Sequence, residues 1–112
     1  MKKVILDTSF ILTCARQKID FFEDIRLMGL QILIPDKVIH ELEGLKADLA
    51  LKILKKNKFK LIKIKGKNTD KAIINYAKKN SGVIVATLDR EIKTKIKNSK
   101  LVIRQKKKLE II

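Results

Sequence analysis

The sequence has little of most residue types that usually carry chemistry. In 112 residues there is one cysteine, one histidine, one proline and no tryptophan, and aromatic residues make up 4%. A single cysteine excludes an internal disulfide. Cys14 stands among Ile11, Leu12 and Ala15, so it reads as core packing rather than as a metal ligand. With His40 the only imidazole, and on an outward helix position, no Ser/His/Asp set and no His/Cys zinc set is available. So few aromatics leave no evident platform for stacking single-stranded bases. No apolar run approaches the roughly 18 residues of a membrane span. There is no G-x-G-x-x-G, no P-loop, no internal repeat and no linker-like stretch. Met1-Lys2-Lys3 leads straight into an apolar run without a cleavable h-region, so the expectation is no signal peptide and a cytoplasmic protein.

Acids are scarce too. There are 12 Asp and Glu against 27 Lys and Arg, a net charge of +15. A chain this basic attracts polyanions, nucleic acid before acidic membrane. Thermophile composition also enriches lysine, but it usually enriches glutamate alongside, and here the glutamates are missing. The bases are not spread evenly. From Lys52 to Lys67 there are eight lysines and no acid, and from Lys93 to Lys108 seven lysines, Arg104 and no acid. Part of any such run is a solvated face.

What is present is 46% apolar residues, enough for a core, in a length that suits one domain spanning 1–112. Val4-Ile5-Leu6 is a short, unalternating apolar run and reads as a strand buried on both faces. Gln31 to Ile34, the stretch around Phe59 to Ile64, Gly82 to Ala86 and Leu101 to Arg104 read as further strands, with Leu109 to Ile112 a candidate short edge strand. Helices are expected over Phe10 to Gln17, Asp20 to Met28, Lys37 to Glu43, Leu45 to Lys56, from Asn68, Thr69 or Asp70 to Lys79, and after Asp89. Strands and helices alternate, so the expected fold is a three-layer α/β/α sandwich around a mostly parallel sheet of about five strands.

Against this background four acids stand out. Asp7 follows the first strand, where open parallel sheets place their ligands. Glu41 lies at the edge of the stripe formed by Val38, Leu42 and Leu45. Asp70 heads a helix whose apolar face carries Ile73, Ile74 and Ala77. Asp89 follows the most apolar strand and precedes Ile92 and Ile96 at helical spacing. Each has a plain reading as a helix cap or surface charge, and for Asp7 capping by Asp7, Thr8 or Ser9 competes evenly with function. Together they place acids at the carboxyl edge of the sheet in a chain that otherwise avoids them. Oxygen ligands alone favour Mg²⁺ or Mn²⁺ over Zn²⁺, and carboxylates so close together would hold raised pKa values without a cation.

Leu6-Asp7-Thr8-Ser9-x-x-Leu12, the acid in Val38-Ile39-x-Glu41-Leu42, Asp70 opening a helix, and Val85-Ala86-Thr87-Leu88-Asp89-Arg90-Glu91 resemble the motifs of PIN-domain nucleases, over nearly the whole chain. The resemblance implies a small parallel α/β/α fold and Mg²⁺- or Mn²⁺-dependent endoribonuclease activity. It assigns both catalysis and metal binding to Asp7, Glu41, Asp70 and Asp89, and makes Ser9 or Thr87 a supporting polar group. Family members often carry Asn where Ser9 and Leu88 stand, and some carry a second acid where this chain has Lys71. Lys63, Lys65, Lys67, Arg90, Lys93, Arg104, Lys106 and Lys107 are the candidates for holding RNA phosphates. Within the family the expected role is ribosomal RNA processing, near the small-subunit processome nuclease. The alternatives are the toxin of a toxin–antitoxin pair and a catalytically weak RNA-binding module. The partners implied are RNA, a ribosome-assembly factor or a cognate antitoxin, and a second copy of the chain, with no membrane. A response-regulator reading fails, because adjacent acids near the first strand and a phospho-acceptor Asp after the third are both missing.

Overall fold

A computed structural model describes residues 2–105 and 107–112. The chain runs β1 (Lys3–Leu6), α1 (Thr8–Arg16), α2 (Phe21–Leu27), β2 (Gln31–Pro35), α3 (Asp36–Gly44), α4 (Asp48–Lys55), β3 (Lys60–Ile62), α5 (Thr69–Lys79), β4 (Ile84–Ala86), α6 (Arg90–Lys95), β5 (Lys100–Arg104) and β6 (Lys108–Ile111). The strands form one sheet in the order β3-β2-β1-β4-β5-β6, parallel except for the final β5–β6 pair. The expected sandwich with a mostly parallel sheet is therefore present, with six strands where about five are read from the alternation. The extra one is β6, which turns back on β5 through Gln105 at φ 49.

The central strands explain why the apolar runs lack alternation. Val4, Ile5, Leu6 and Val85 are fully buried, because helices cover both faces of the sheet. The topology dictates which face each helix takes. The crossovers from β1 to β2 and from β2 to β3 step one way along the sheet, and those from β3 to β4 and from β4 to β5 step the other way. Right-handed crossovers then put α1 to α4 on one face and α5 and α6 on the other. The packing agrees: α1, α3 and α4 touch one another, and α5 touches α6. The reversal falls between β1 and β4, so the carboxyl ends of those two strands open a crevice, the switch-point position for a ligand in this kind of sheet.

Among the boundaries that differ from the sequence-based expectation, three have a local reason. Helix α1 starts at Thr8 rather than Phe10, because Asp7 already has the extended backbone of an N-cap. The helix expected over Leu45 to Lys56 starts only at Asp48. The chain leaves α3 at Leu45 and turns through Lys46 at φ 53, so Leu45 is 62% exposed instead of sharing the buried stripe of Val38 and Leu42. The third strand is only Lys60–Ile62, a sheet edge whose lysine neighbours discourage further pairing. Gly29 closes α2 at φ 75, where a left-handed residue lets its own amide bond Arg26 O at 3.0 Å.

Candidate active site

The strand ends place the acids. The β1–β4 ladder continues one residue beyond the strands, with Asp7 N donating to Ala86 O at 2.9 Å, so Asp7 and Thr87 emerge side by side at the switch point. Asp7 is 3% exposed and Thr87 fully buried. Two hydroxyls converge on one oxygen of Asp7. Thr87 Oγ1 donates to Oδ2 at 2.7 Å and Ser9 Oγ donates to the same atom at 3.1 Å. Each hydroxyl in turn accepts a backbone amide from the loop after β4: Asp89 N on Thr87 Oγ1 at 3.0 Å, and Leu88 N on Ser9 Oγ at 3.2 Å. With their acceptor sides engaged by amides, both hydroxyls have their protons to give to Asp7. The pair of relays ties the β4–α6 loop to the end of β1 and leaves Oδ1 free of side-chain bonds.

The capping alternative can now be weighed residue by residue. Asp7 occupies the N-cap position of α1, yet its side chain makes no capping hydrogen bond. The cap of α5 is Asn68, which accepts from Lys71 N at 2.9 Å, so the Asp70 carboxylate is not needed for that task. Asp89 does cap α6, accepting from Glu91 N at 2.8 Å through Oδ1. Glu41 is exposed on α3, but its carboxylate turns toward β1 and accepts from Thr8 Oγ1 at 2.5 Å.

Charge repulsion marks the same four residues as one group. Burial pushes the Asp7 carboxyl above its ordinary range, opposed by the Thr87, Thr8 and Ser9 donors and reinforced by the charge of Glu41. Asp70 is pushed up to about 6, first by burial, then by a hydrogen bond with Asp89 and by the charges of Asp89, Asp7 and Glu41. Asp89 is thus the nearest acid to Asp70, and the other two lie within electrostatic reach. Among the described residues, no group of three or more His, Cys, Asp or Glu is drawn tightly enough to enclose a metal ion by itself. The donors gathered here are carboxylate oxygens, the kind that Mg²⁺ and Mn²⁺ take. The donor set fits such an ion.

The bases of the sequence reading surround this edge. Lys63, Lys65 and Lys67 lie on the connection from the end of β3 to the start of α5, where Asp70 stands, and all three are exposed. Arg90 and Lys93 lie on α6 just beyond Asp89, Arg90 exposed and Lys93 half-buried. Lys107 lies in the β5–β6 turn at the carboxyl end of β5, and Arg104 beside it is engaged with Glu110 at 2.9 Å. Lys106 lies outside the described residues. His40 is a surface side chain beside Glu43, and Cys14 is buried with its thiol pushed up to about 12 by burial, so neither offers reactive chemistry. The 710 Å³ groove lined by Phe22 and Phe59 contains none of the four acids. Thr8 is the site residue the sequence reading misses. Its signal is only its place directly after a strand-end acid, and the partner that reveals it lies 33 residues away.

Residues 4–108 match the family described as PIN like domain. The chain is 35% identical over 127 aligned positions to ribonuclease VapC4 of Methanocaldococcus jannaschii, covering 99% of this chain and 97% of that protein. It is 36% identical over 101 positions to the rRNA-processing protein fcf1 of Schizosaccharomyces pombe, covering 84% of this chain and 53% of that protein, so it spans about half the fcf1 length. A solved structure of the PIN domain endonuclease Utp24 superposes with a TM-score of 0.83 at 31% identity, covering 97% of this chain and 90% of that one.

Proposed function

Because the chain belongs to the PIN-like domain family, we propose that it is a divalent-metal-dependent endoribonuclease that hydrolyses RNA phosphodiesters. The observation that carries this reading is the convergence of Asp7, Asp70, Asp89 and Glu41 at the β1/β4 switch point under a strongly basic exterior. When bound, Mg²⁺ or Mn²⁺ supplies Lewis-acid polarisation of the phosphoryl oxygen and lowers the pKa of water. The protein's own part is holding and aiming. Asp7 presents Oδ1 while Ser9 and Thr87 fix Oδ2. Asp70 and Asp89, neighbours at the starts of α5 and α6, would hold the cation from the other side. The lysines before α5 and the bases of α6 grip the phosphates on either side of the scissile bond.

The proposed role is processing of ribosomal RNA, supported by the similarity to fcf1 and to Utp24. The full-length match to VapC4 favours a second reading, a ribonuclease toxin held by an antitoxin. Incubating the purified protein with precursor ribosomal RNA and with mature ribosomal and transfer RNA, with Mn²⁺ or EDTA, tests both. Metal-dependent cuts confined to the precursor support processing, and cuts in mature RNA support the toxin. Tight RNA binding with no cleavage under any metal, or cleavage that survives Asp7→Asn, overturns the nuclease reading.

A further inference from the structure

Glu41 behaves unlike the other glutamates. Among the described residues Glu23 pairs with Arg26, Glu91 with Lys95 and Glu110 with Arg104, and Glu43 lies 3.7 Å from His40. Glu41 is exposed enough to find a lysine of its own. Instead it points inward, toward Asp7 and Asp70, whose ionisation its charge opposes. An exposed carboxylate does not stay beside like charges unaided, because its side chain has free rotamers that lead to solvent. Among the described residues its hydrogen-bond partner is the hydroxyl of Thr8, at 2.5 Å.

Thr8 is built for that task. It is 8% exposed and fixed in the first turn of α1, so its side chain loses little freedom in bonding. Threonine is restricted at χ1 to few rotamers in a helix, and in the one adopted here its hydroxyl reaches Glu41. Its backbone amide faces the Asp7 carboxylate while its hydroxyl reaches Glu41, so one residue touches an acid of β1 and an acid of α3. The other polar residues of the motif, Ser9 and Thr87, both serve Asp7, and neither reaches Glu41.

We propose that Thr8 is a positioning residue for divalent-cation binding: its hydroxyl holds Glu41 in the inward orientation in which that carboxylate can take the ion or one of the ion's waters. The proposal rests on the nuclease reading above and adds a residue to it. Losing a group that orients a metal ligand typically weakens affinity by about 10–100-fold. The test is Mn²⁺ titration by calorimetry on the RNA-free protein for wild type, Thr8→Val, Thr8→Ala, Thr8→Ser and Glu41→Gln. The expected result is an affinity loss of about 10–100-fold in Thr8→Val and Thr8→Ala, near-complete rescue in Thr8→Ser, and no further loss when Thr8→Val is added to Glu41→Gln. Metal-free melting is followed for each variant, and if Thr8→Val fails to fold, Thr8→Ala decides. Wild-type affinity in both hydroxyl-free variants overturns the proposal. So does a Thr8→Ser protein as weak as Thr8→Val, or an undiminished loss in the Glu41→Gln background. A wild-type protein that neither binds Mn²⁺ nor cleaves RNA overturns the nuclease reading as well, which separates the two failures.

Discussion

Thr87→Val isolates the buried hydroxyl on which the site turns. Valine has nearly the same shape as threonine, so the change leaves no appreciable cavity at a fully buried position. What it removes is the 2.7 Å donor to Asp7 Oδ2 and the 3.0 Å acceptor of Asp89 N. A hydrogen bond to a charged group contributes about 1.5–3 kcal/mol, and an orphaned amide costs roughly another 1 kcal/mol. The expected deficit at neutral pH is therefore about 2–4 kcal/mol, or roughly 8–15 °C in melting temperature for a chain of this size. The pH dependence has a definite sign. Burial already raises the folded-state pKa of Asp7, and the Thr87 hydroxyl is the strongest of the donors that lower it. Removing that donor raises the folded pKa further, so the variant takes up a proton at a higher pH than wild type. Protonation relieves the uncompensated charge, and the deficit shrinks as pH falls through the variant's folded pKa. Urea unfolding in EDTA at several pH values between 4.5 and 8 measures this, with Thr87→Ser as the control that restores the hydroxyl. A deficit of equal size at both ends of the range, or a Thr87→Ser protein as unstable as Thr87→Val, refutes the reasoning.

Asp70 gives a second pH effect. Its folded pKa of about 6 stands above the ordinary 3.8, so metal-free stability is greatest when it is protonated and falls as pH rises from about 4 to about 6; Asp70→Asn should flatten that part of the melting-temperature profile. Because the ion competes with that proton, Mn²⁺ affinity should fall about tenfold per pH unit below pH 6 in wild type, read by titration calorimetry. Gly66→Ala would place a Cβ 2.5 Å from Ala72 N in the first turns of α5, so the backbone carrying Asp70 must shift. A loss of about 1–3 kcal/mol with weaker Mn²⁺ binding is expected, whereas Gly82→Ala, which meets nothing within 4 Å, should leave metal affinity unchanged. Asn98 is 6% exposed and its amide donates to Ala77 O at 3.1 Å, Asn80 O at 3.0 Å and Val83 O at 2.9 Å. Asn98→Ala removes these bonds, leaving Ala77 O and Asn80 O with only their backbone amide partners, and should cost about 1–3 kcal/mol in urea unfolding with Mn²⁺ affinity intact.

The sequence exposes what depends on short range. Continuous apolar runs mark Val4 to Leu6 and Gly82 to Ala86 as strands, the second two residues longer than β4, and helical spacing places Asp70 and Asp89 at the starts of α5 and α6. What it hides depends on strand order. The sheet order β3-β2-β1-β4-β5-β6 is a consequence of crossover direction, which no local pattern encodes. Only that order sets Thr87 beside Asp7, 80 residues apart in the chain, and brings Glu41 to Thr8. Capping shows the same limit. Asn68, Thr69 and Asp70 are equally good caps on paper, and packing alone assigns the role to Asn68. The turn after α3 was hidden for another reason: Lys46 adopts a left-handed backbone without the glycine or asparagine that usually signals one.

The distribution of charge explains how so basic a chain keeps an acidic site. A lysine placed against Asp7 or Asp70 would neutralise it and leave nothing for a cation to replace. The ion pairs of the described structure avoid this: they use Glu23, Glu91 and Glu110, all on the surface, and among the described residues no site acid takes a lysine or arginine. Two of the site acids are held by hydroxyls instead, Glu41 by Thr8 and Asp7 by Ser9 and Thr87. A hydroxyl orients a carboxylate without cancelling its charge. Burial first, and the neighbouring carboxylates after it, lift Asp7 and Asp70, so a cation bound beside them would relieve a penalty the fold already carries. The exposed lysines, left without acidic partners, remain available to a polyanion arriving at the same edge of the sheet.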